Sequence, residues 1–369
     1  MEDNMERRIA AAEAFAIKGQ IKSCEPYGSG HINRTFRLIC EEDGQSYHYI
    51  LQQMNREVFK DIPGLMENVK GVTTFLRRQI VEDHGDPDRE TLNLVPTKDG
   101  RDYHQDSWGD FWRVYLFIDG ATCYNLVAKP EDFYQSGKAF GRFQRLLADF
   151  PADRLTETIP HFHDTPARFA TFQKAVEEDC KGRASQVEAE IRFIREREKE
   201  MGLALSLQKT GELPLRVSHN DTKLNNIMID DATGQALCII DLDTIMPGFS
   251  IFDYGDSIRF GANTAEEDER DLSKVSLSLP LFEVYTKGFL EGSEGRLTET
   301  EIELLPYGAK MMTLECGMRF LTDHLMGDVY FHISREGHNL DRCRTQLALV
   351  ADMEKKWTDM ERIVKQYQG

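Results

Sequence analysis

Residues 217–256, VSHNDTKLNNIMIDDATGQALCIIDLDTIMPGFSIFDYGD, constrain the fold more tightly than any other stretch. Two apolar runs, Ile227-Met228-Ile229 and Leu237-Cys238-Ile239-Ile240, flank Asp231-Ala232-Thr233-Gly234. Apolar runs around a turn of that composition read as a β-hairpin. Counted from a centre between Thr233 and Gly234, Asn226 stands opposite Asp241 at the hairpin's open end. The loop bearing His219, Asp221 and Lys223 enters at the same end. Polar groups therefore gather at one edge of a rigid apolar ribbon, a sound way to present a base and a metal to a substrate.

The residue types suggest the chemistry. A carboxylate such as Asp221 can accept a hydroxyl proton while that oxygen attacks a phosphoryl group. The Asn226 amide and the Asp241 carboxylate are hard oxygen donors suited to Mg²⁺, which keeps waters and phosphates as its other ligands. Lys223 can meet the transferring phosphate as a point charge. Each residue alone is ordinary in a turn. The joint spacing HxDxKxxN, then a hairpin, then Ile240-Asp241, points to phosphoryl transfer.

The rest of the chain divides unevenly. A short helix is expected over 5–18. Residues 31–39 and 47–53 have strand composition around the turn 41–44. Met66, Val69, Val72, Phe75, Leu76 and Ile80 recur on one side of a helix over 65–82. Residues 92–95 and 111–118 read as strands. Helices are expected over 131–149, 166–209 with interruptions, 272–291, 300–325 and 340–367. A sheet-rich part over 1–116 and a helical part over 117–369 make an α+β chain, with the hairpin in the helical part.

Composition limits the partners. At 40% hydrophobic residues the chain of 369 can bury a substantial core. Its net charge of −18 argues against a nucleic-acid or anionic-membrane binder, since both require a basic face. A phosphate-bearing substrate stays open, because loops and metal ions handle small phosphates locally. The cysteines (24, 40, 123, 180, 238, 316 and 343) are odd in number and scattered, which reads as buried free thiols. With no signal-like N-terminus and no membrane-length apolar run, the expected setting is cytoplasmic. No obligate protein partner is inferred.

His219-Asn220-Asp221 through Asn226 resembles the catalytic loop of the protein-kinase-like superfamily. Asp241, Gly248 and Asp253 keep the spacing of the aminoglycoside phosphotransferase family. Within it the chain is most similar to the N-acetylhexosamine 1-kinases, through GSGHINRTF (28–36), YILQQMN (49–55), IPHFHD (159–164), HNDTKLNN (219–226), IDLDTIMPG (240–248), DYGDSIRF (253–260) and RFLTDHLMGDVYF (319–331). The resemblance implies a bilobal protein-kinase-like fold and ATP-dependent phosphorylation of the anomeric hydroxyl of an N-acetylhexosamine. It makes Asp221 and Lys223 catalytic, and Asn226 and Asp241 metal ligands. ATP would meet the glycine loop at Gly28, Ser29 and Gly30, with Asn33, and a hinge-like strand at Tyr115 and Phe117. The sugar would meet His31, Phe260, Arg319 and Tyr330.

One departure stands out. Protein kinases carry a Lys on the third strand, whereas YILQQMN offers only Gln52 and Gln53. Three alternatives stay open. Arg319 and Asp323, four apart on a helix, could form a solvated ion pair. His161-Phe162-His163-Asp164 could be a hydrolase metal pair, although a helix-capping role is favoured. The acceptor could be another small alcohol, or the chain an inactive nucleotide- or sugar-binding module.

Overall fold

The computed structural model describes residues 5–28, 32–124, 127 and 129–368. The chain forms two compact units. The first comprises Met1–Thr122, Asp153–Ile159 and Met228–Met246. The second comprises Cys123–Ala152, Pro160–Ile227 and Pro247–Gly369.

Helix α1 (Met5–Glu13) opens the first unit. Strands β1 (Gln20–Pro26), β2 (Arg34–Glu42) and β3 (Gln45–Met54) follow, then helix α2 (Ile62–Glu82). Strands β4 (Leu94–Val95), β5 (His104–Gln105) and β6 (Phe111–Leu116) complete an antiparallel sheet of order β1-β2-β3-β6-β4, with β5 also on β6. The expected β2–β3 hairpin forms, and Asp43 and Gly44 turn it with φ of 51° and 81°. Positive φ at both centres matches the twist of the flanking strands.

The alternation of β6 sets the two faces of this sheet. Trp112 and Val114 join Phe36, Leu38, Leu51, the α1 residues Ala11 and Ala12, and Phe15 just beyond α1 in an apolar core. Arg113 and Tyr115 point to the other face, where Arg113 meets Met66 of α2. Asp61 caps α2 by accepting from Gly64 N–H at 3.0 Å.

Strand β7 (Ala121–Cys123) begins a second sheet, of order β10-β9-β7. The second unit is mainly helical: α3 (Pro130–Leu146), α4 (Thr165–Glu178), α5 (Glu188–Arg195), α6 (Glu198–Met201) and α7 (Leu203–Thr210) precede strand β8 (Arg216–Ser218). Next come the hairpin strands β9 (Ile227–Asp230) and β10 (Ala236–Ile239), and then β11 (Met246–Gly248), which pairs with β8. Helices α8 (Ser250–Gly261), α9 (Leu279–Ser293), α10 (Glu299–Glu303), α11 (Leu305–Met326), α12 (His338–Lys355) and α13 (Trp357–Tyr367) complete the chain.

Glycines let several of these helices approach backbone to backbone. A Cβ on Gly137 of α3 would lie 2.4 Å from the Tyr285 carbonyl of α9, and one on Gly288 of α9 would lie 2.3 Å from the Tyr134 carbonyl of α3. Helices α8 and α11 meet in the same way, with Gly255 against the Gly308 carbonyl at 2.3 Å.

Three expectations need correction. Residues 228–246 of the hairpin segment pack in the first unit, not with the helices, because Asn68 of α2 and Arg113 of β6 bond to that segment. The hairpin centre lies between Ala232 and Thr233. Asp230 N–H donates to the Gln235 carbonyl at 2.9 Å, and the Asp230 carboxylate organises the turn by accepting from Ala232 and Thr233 N–H. Among the cysteines, all free, Cys24, Cys40, Cys238 and Cys343 are buried, but Cys180 is exposed and Cys123 and Cys316 are partly so. No helix among the described residues is long and apolar enough to cross a membrane.

Candidate active site

In the second unit, the loop that carries His219, Asp221 and Lys223 follows β8 and is held by one carboxylate. Asp253 of α8 accepts from Ser218 Oγ at 2.7 Å, His219 N–H at 2.8 Å, Asn220 N–H at 2.8 Å and Gln144 Nε2 at 3.1 Å. Burial pushes this carboxyl up, and His219 and the donors favour its charged form. Asn220 takes a left-handed backbone, φ 65°, to turn the chain between these contacts. The His219 ring is fully buried, edge-on to Phe140 at 5.6 Å and to Phe143 at 6.1 Å. Its Nδ1 accepts from Asp221 N–H at 3.3 Å. Gly248 of β11 is needed nearby because a Cβ there would lie 2.6 Å from Ser218 Cβ.

That scaffold delivers Asp221, half-buried, to the end of the loop. Lys223 Nζ lies 2.8 Å from Asp221 Oδ1, and Asn226 Nδ2 donates to Asp221 Oδ2 at 3.1 Å and to the Asp221 carbonyl at 2.8 Å. The structure thus brings together three of the expected site residues. Burial alone would push the Lys223 ammonium down, but the Asp221 charge, with Asp256 behind it, raises it above its ordinary value. The second half of the loop rests on α8. Asp256 accepts from Thr222 N–H at 3.2 Å, Thr222 Oγ1 donates to the Asp253 carbonyl at 2.6 Å, and Ser257 Oγ donates to the Thr222 carbonyl at 2.7 Å. Arg259 holds Asp256 through Nε at 3.0 Å and Nη2 at 2.7 Å.

Asp241 lies in the first unit, just past β10, with φ 60° and ψ 59°, and opens the short 3₁₀ turn Leu242–Thr244. Asp243 in that turn pairs with Arg113 and accepts from Asn33 Nδ2. The other end of the Asn33 amide accepts from Asn55 N–H at 2.9 Å. Asn33, expected at the nucleotide, thus spends both ends of its amide within the unit. Gly28, φ 78°, opens the glycine loop, and a Cβ there would have open space around it. Ser29, Gly30 and His31 lie outside the described residues.

The hinge expectation separates into two parts. Tyr115 is buried beside Arg113, 5.1 Å from its guanidinium, and burial raises its phenol. Phe117 sits in an aromatic cluster with Tyr27 at 5.6 Å, under Arg37 at 4.5 Å, and its N–H donates to the His48 carbonyl.

On the expected sugar side, Arg319 makes no ion pair or hydrogen bond among the described residues. Its guanidinium lies 5.6 Å from each of the Phe162 and Phe331 rings, and Tyr330 packs on Phe331 at 4.8 Å. Asp323 does not pair with it. Instead Asp323 accepts from Val329, Tyr330 and Phe331 N–H and from Asn339 Nδ2, fixing the turn after α11. Phe260 lies in the last turn of α8, with 37% of its surface exposed. The His161–Asp164 stretch is a capping motif. Asp164 accepts from Ala167 N–H at 3.0 Å, while His163 Nδ1 and Thr165 Oγ1 meet the buried Glu315 at 2.8 and 2.6 Å.

A His–x–Asp loop thus presents Asp, Lys and Asn together, anchored by a buried Asp on the next helix. The model of the phosphotransferase enzyme family matches residues 23–275, and the chain belongs to that family. Solved structures agree on the fold. An aminoglycoside phosphotransferase from Alicyclobacillus acidocaldarius is 12% identical with a TM-score of 0.61, over 97% of this chain and 96% of that one. A choline kinase from Cryptosporidium parvum is 14% identical with a TM-score of 0.57, over 96% and 97%. A Plasmodium vivax ethanolamine kinase is 13% identical with a TM-score of 0.51, over 88% and 82%.

Proposed function

We propose that this phosphotransferase uses ATP and Mg²⁺ to phosphorylate the anomeric hydroxyl of an N-acetylhexosamine, giving the sugar 1-phosphate. The observation that carries the reaction is the oriented Asp221 carboxylate, flanked by Lys223 at 2.8 Å and Asn226 at 3.1 Å. Asp221 takes the proton of the anomeric hydroxyl as its oxygen bonds to the γ-phosphorus. The bond from that phosphorus to the β,γ-bridging oxygen breaks, and ADP leaves. Lys223 offsets charge on the phosphoryl oxygens. Most of the acceleration comes from positioning and electrostatics.

The donor set suits a hard cation. Both contacts that the Asn226 amide makes among the described residues use its nitrogen, so its oxygen is the end offered to a ligand. With Asp241, whose assignment rests on sequence spacing, it would hold Mg²⁺, which neutralises phosphate charge when bound.

Support for the sugar comes from the sequence likeness to N-acetylhexosamine 1-kinases across nearly the whole chain. It also comes from Arg319, a donor with no ion pair or hydrogen bond among the described residues, framed by two aromatic rings beside Tyr330. Such a frame suits hydrogen bonds to hydroxyl or acetamide oxygens with an apolar wall. An acceptor panel with purified protein and Mg·ATP tests the assignment. Turnover on N-acetylglucosamine or N-acetylgalactosamine is expected. Turnover confined to an amino alcohol or an aminoglycoside would replace the sugar, and nucleotide binding without transfer to any acceptor would favour an inactive binding module.

A further inference from the structure

The third-strand Lys is missing, yet the first unit contains a buried cation that the sequence spacing did not single out. Gln52 of β3 lies directly across from Arg113 of β6. Its Oε1 accepts from Arg113 Nε at 2.9 Å and Nη2 at 2.8 Å, and its Nε2 donates to Thr35 Oγ1 at 3.0 Å. The glutamine therefore aims the guanidinium. The remaining nitrogen, Nη1, lies 2.5 Å from Asp243 Oδ1, and both side chains are almost completely buried. Asn33 Nδ2 takes the other carboxylate oxygen. Burial alone would push Arg113 down, but Asp243, with smaller help from Asp241, more than reverses this and keeps it charged. At the far end of the same segment, Asn68 Nδ2 holds the Ile245 carbonyl at 2.9 Å.

We propose that Arg113, aimed by Gln52, is a positioning residue for Asp241. It clamps Asp243, two residues further on in the same 3₁₀ turn, and so holds the left-handed backbone that presents the Asp241 carboxylate. The fold replaces a lysine that would itself reach phosphate with an arginine that orients the group proposed to hold the metal. The inference rests on the reading of Asp241 as a magnesium ligand. Partners that orient a ligand commonly change metal affinity by about ten-fold or more when removed.

The test measures Mn²⁺ binding to the enzyme–ADP complex by electron paramagnetic resonance, with kcat and KM alongside. The variants are Arg113→Met/Asp243→Asn, Arg113→Lys and Asp241→Asn, each checked for folding by circular dichroism. The double variant removes both charges and avoids a lone buried ion. It is expected to bind Mn²⁺ about ten-fold more weakly and to lose kcat, with the KM for acceptor retained. Arg113→Lys, which cannot span Gln52 and Asp243 together, is expected to fall between it and wild type, and it decides the matter if the double variant does not fold. Wild-type Mn²⁺ affinity in the folded double variant, or in Arg113→Lys where that decides, together with weakened binding in Asp241→Asn, overturns the positioning role alone. Wild-type affinity in Asp241→Asn overturns the ligand reading, and the positioning role with it.

Discussion

The Asp221 loop and the Asp241 turn solve the same problem with different physics. Each presents an acid near a left-handed residue, Asn220 at φ 65° and Asp241 at φ 60°. The loop is held by one buried carboxylate, Asp253, collecting backbone and side-chain donors. Hydrogen bonds to a charged group contribute about 1.5–3 kcal/mol each. The turn is held by a buried ion pair, Arg113–Asp243, whose desolvation offsets much of its attraction. The first anchor, whose carboxyl burial also pushes up, matters through the donors that its loss would leave unpaired. The second contributes geometry and little stability.

Four changes probe that contrast. Asp221→Asn removes the group the first anchor presents and leaves the anchor intact. It should lower kcat by about 10²–10⁴-fold, with ATP binding by calorimetry unchanged. Asp253→Asn strikes the anchor itself, turning an acceptor toward donors into a donor. Urea unfolding should show a loss of about 3 kcal/mol, and activity should fall as well. In Arg113→Met/Asp243→Asn the same unfolding measurement should change by no more than about 1–2 kcal/mol, because the charges leave together. A cost as large as that of Asp253→Asn would erase the distinction between the anchors.

The smallest effect is a titration that touches neither anchor. Burial, and then the charge of Arg183, holds His324 below its ordinary value of 6.5. As pH falls below 6.5 the unfolded chain takes up this proton before the folded one does, so stability declines with acid. His324→Asn should flatten that part of a melting-temperature profile. The slope His324 contributes should be the same in both anchor variants.

Much of this was legible in the sequence. The turn at Asp43-Gly44, the α2 stripe from Met66 to Ile80 and the HxDxKxxN loop each carry a local signal, and the structure builds each of them. Helix α8 carries none. Its residues Ser250–Arg259 are buried all round, so the one-sided apolar period that marks a surface helix is absent. No local signal therefore marks Asp256 and Arg259 as supports, although Asp253 keeps the family spacing. The α3–α9 contact left a faint trace in Gly137/Gly141 and Gly288/Gly292, four apart on each helix. Arg113 left none. It reads as one polar residue in an apolar strand, and only the pairing of β3 with β6 puts it against Gln52. The Arg319–Asp323 spacing misled because helical neighbours need not pair. Asp323 finds backbone donors in the turn beyond its own helix.

Under the proposed function, Asp221 activates the anomeric hydroxyl of an N-acetylhexosamine for attack on ATP. The most direct test incubates the protein with Mg·ATP and N-acetylglucosamine or N-acetylgalactosamine and follows the product by phosphorus and proton NMR. A new phosphomonoester whose phosphorus couples to the anomeric proton is expected from the wild type and not from Asp221→Asn. Phosphate on any other hydroxyl, or the same product at the same rate from Asp221→Asn, would contradict it.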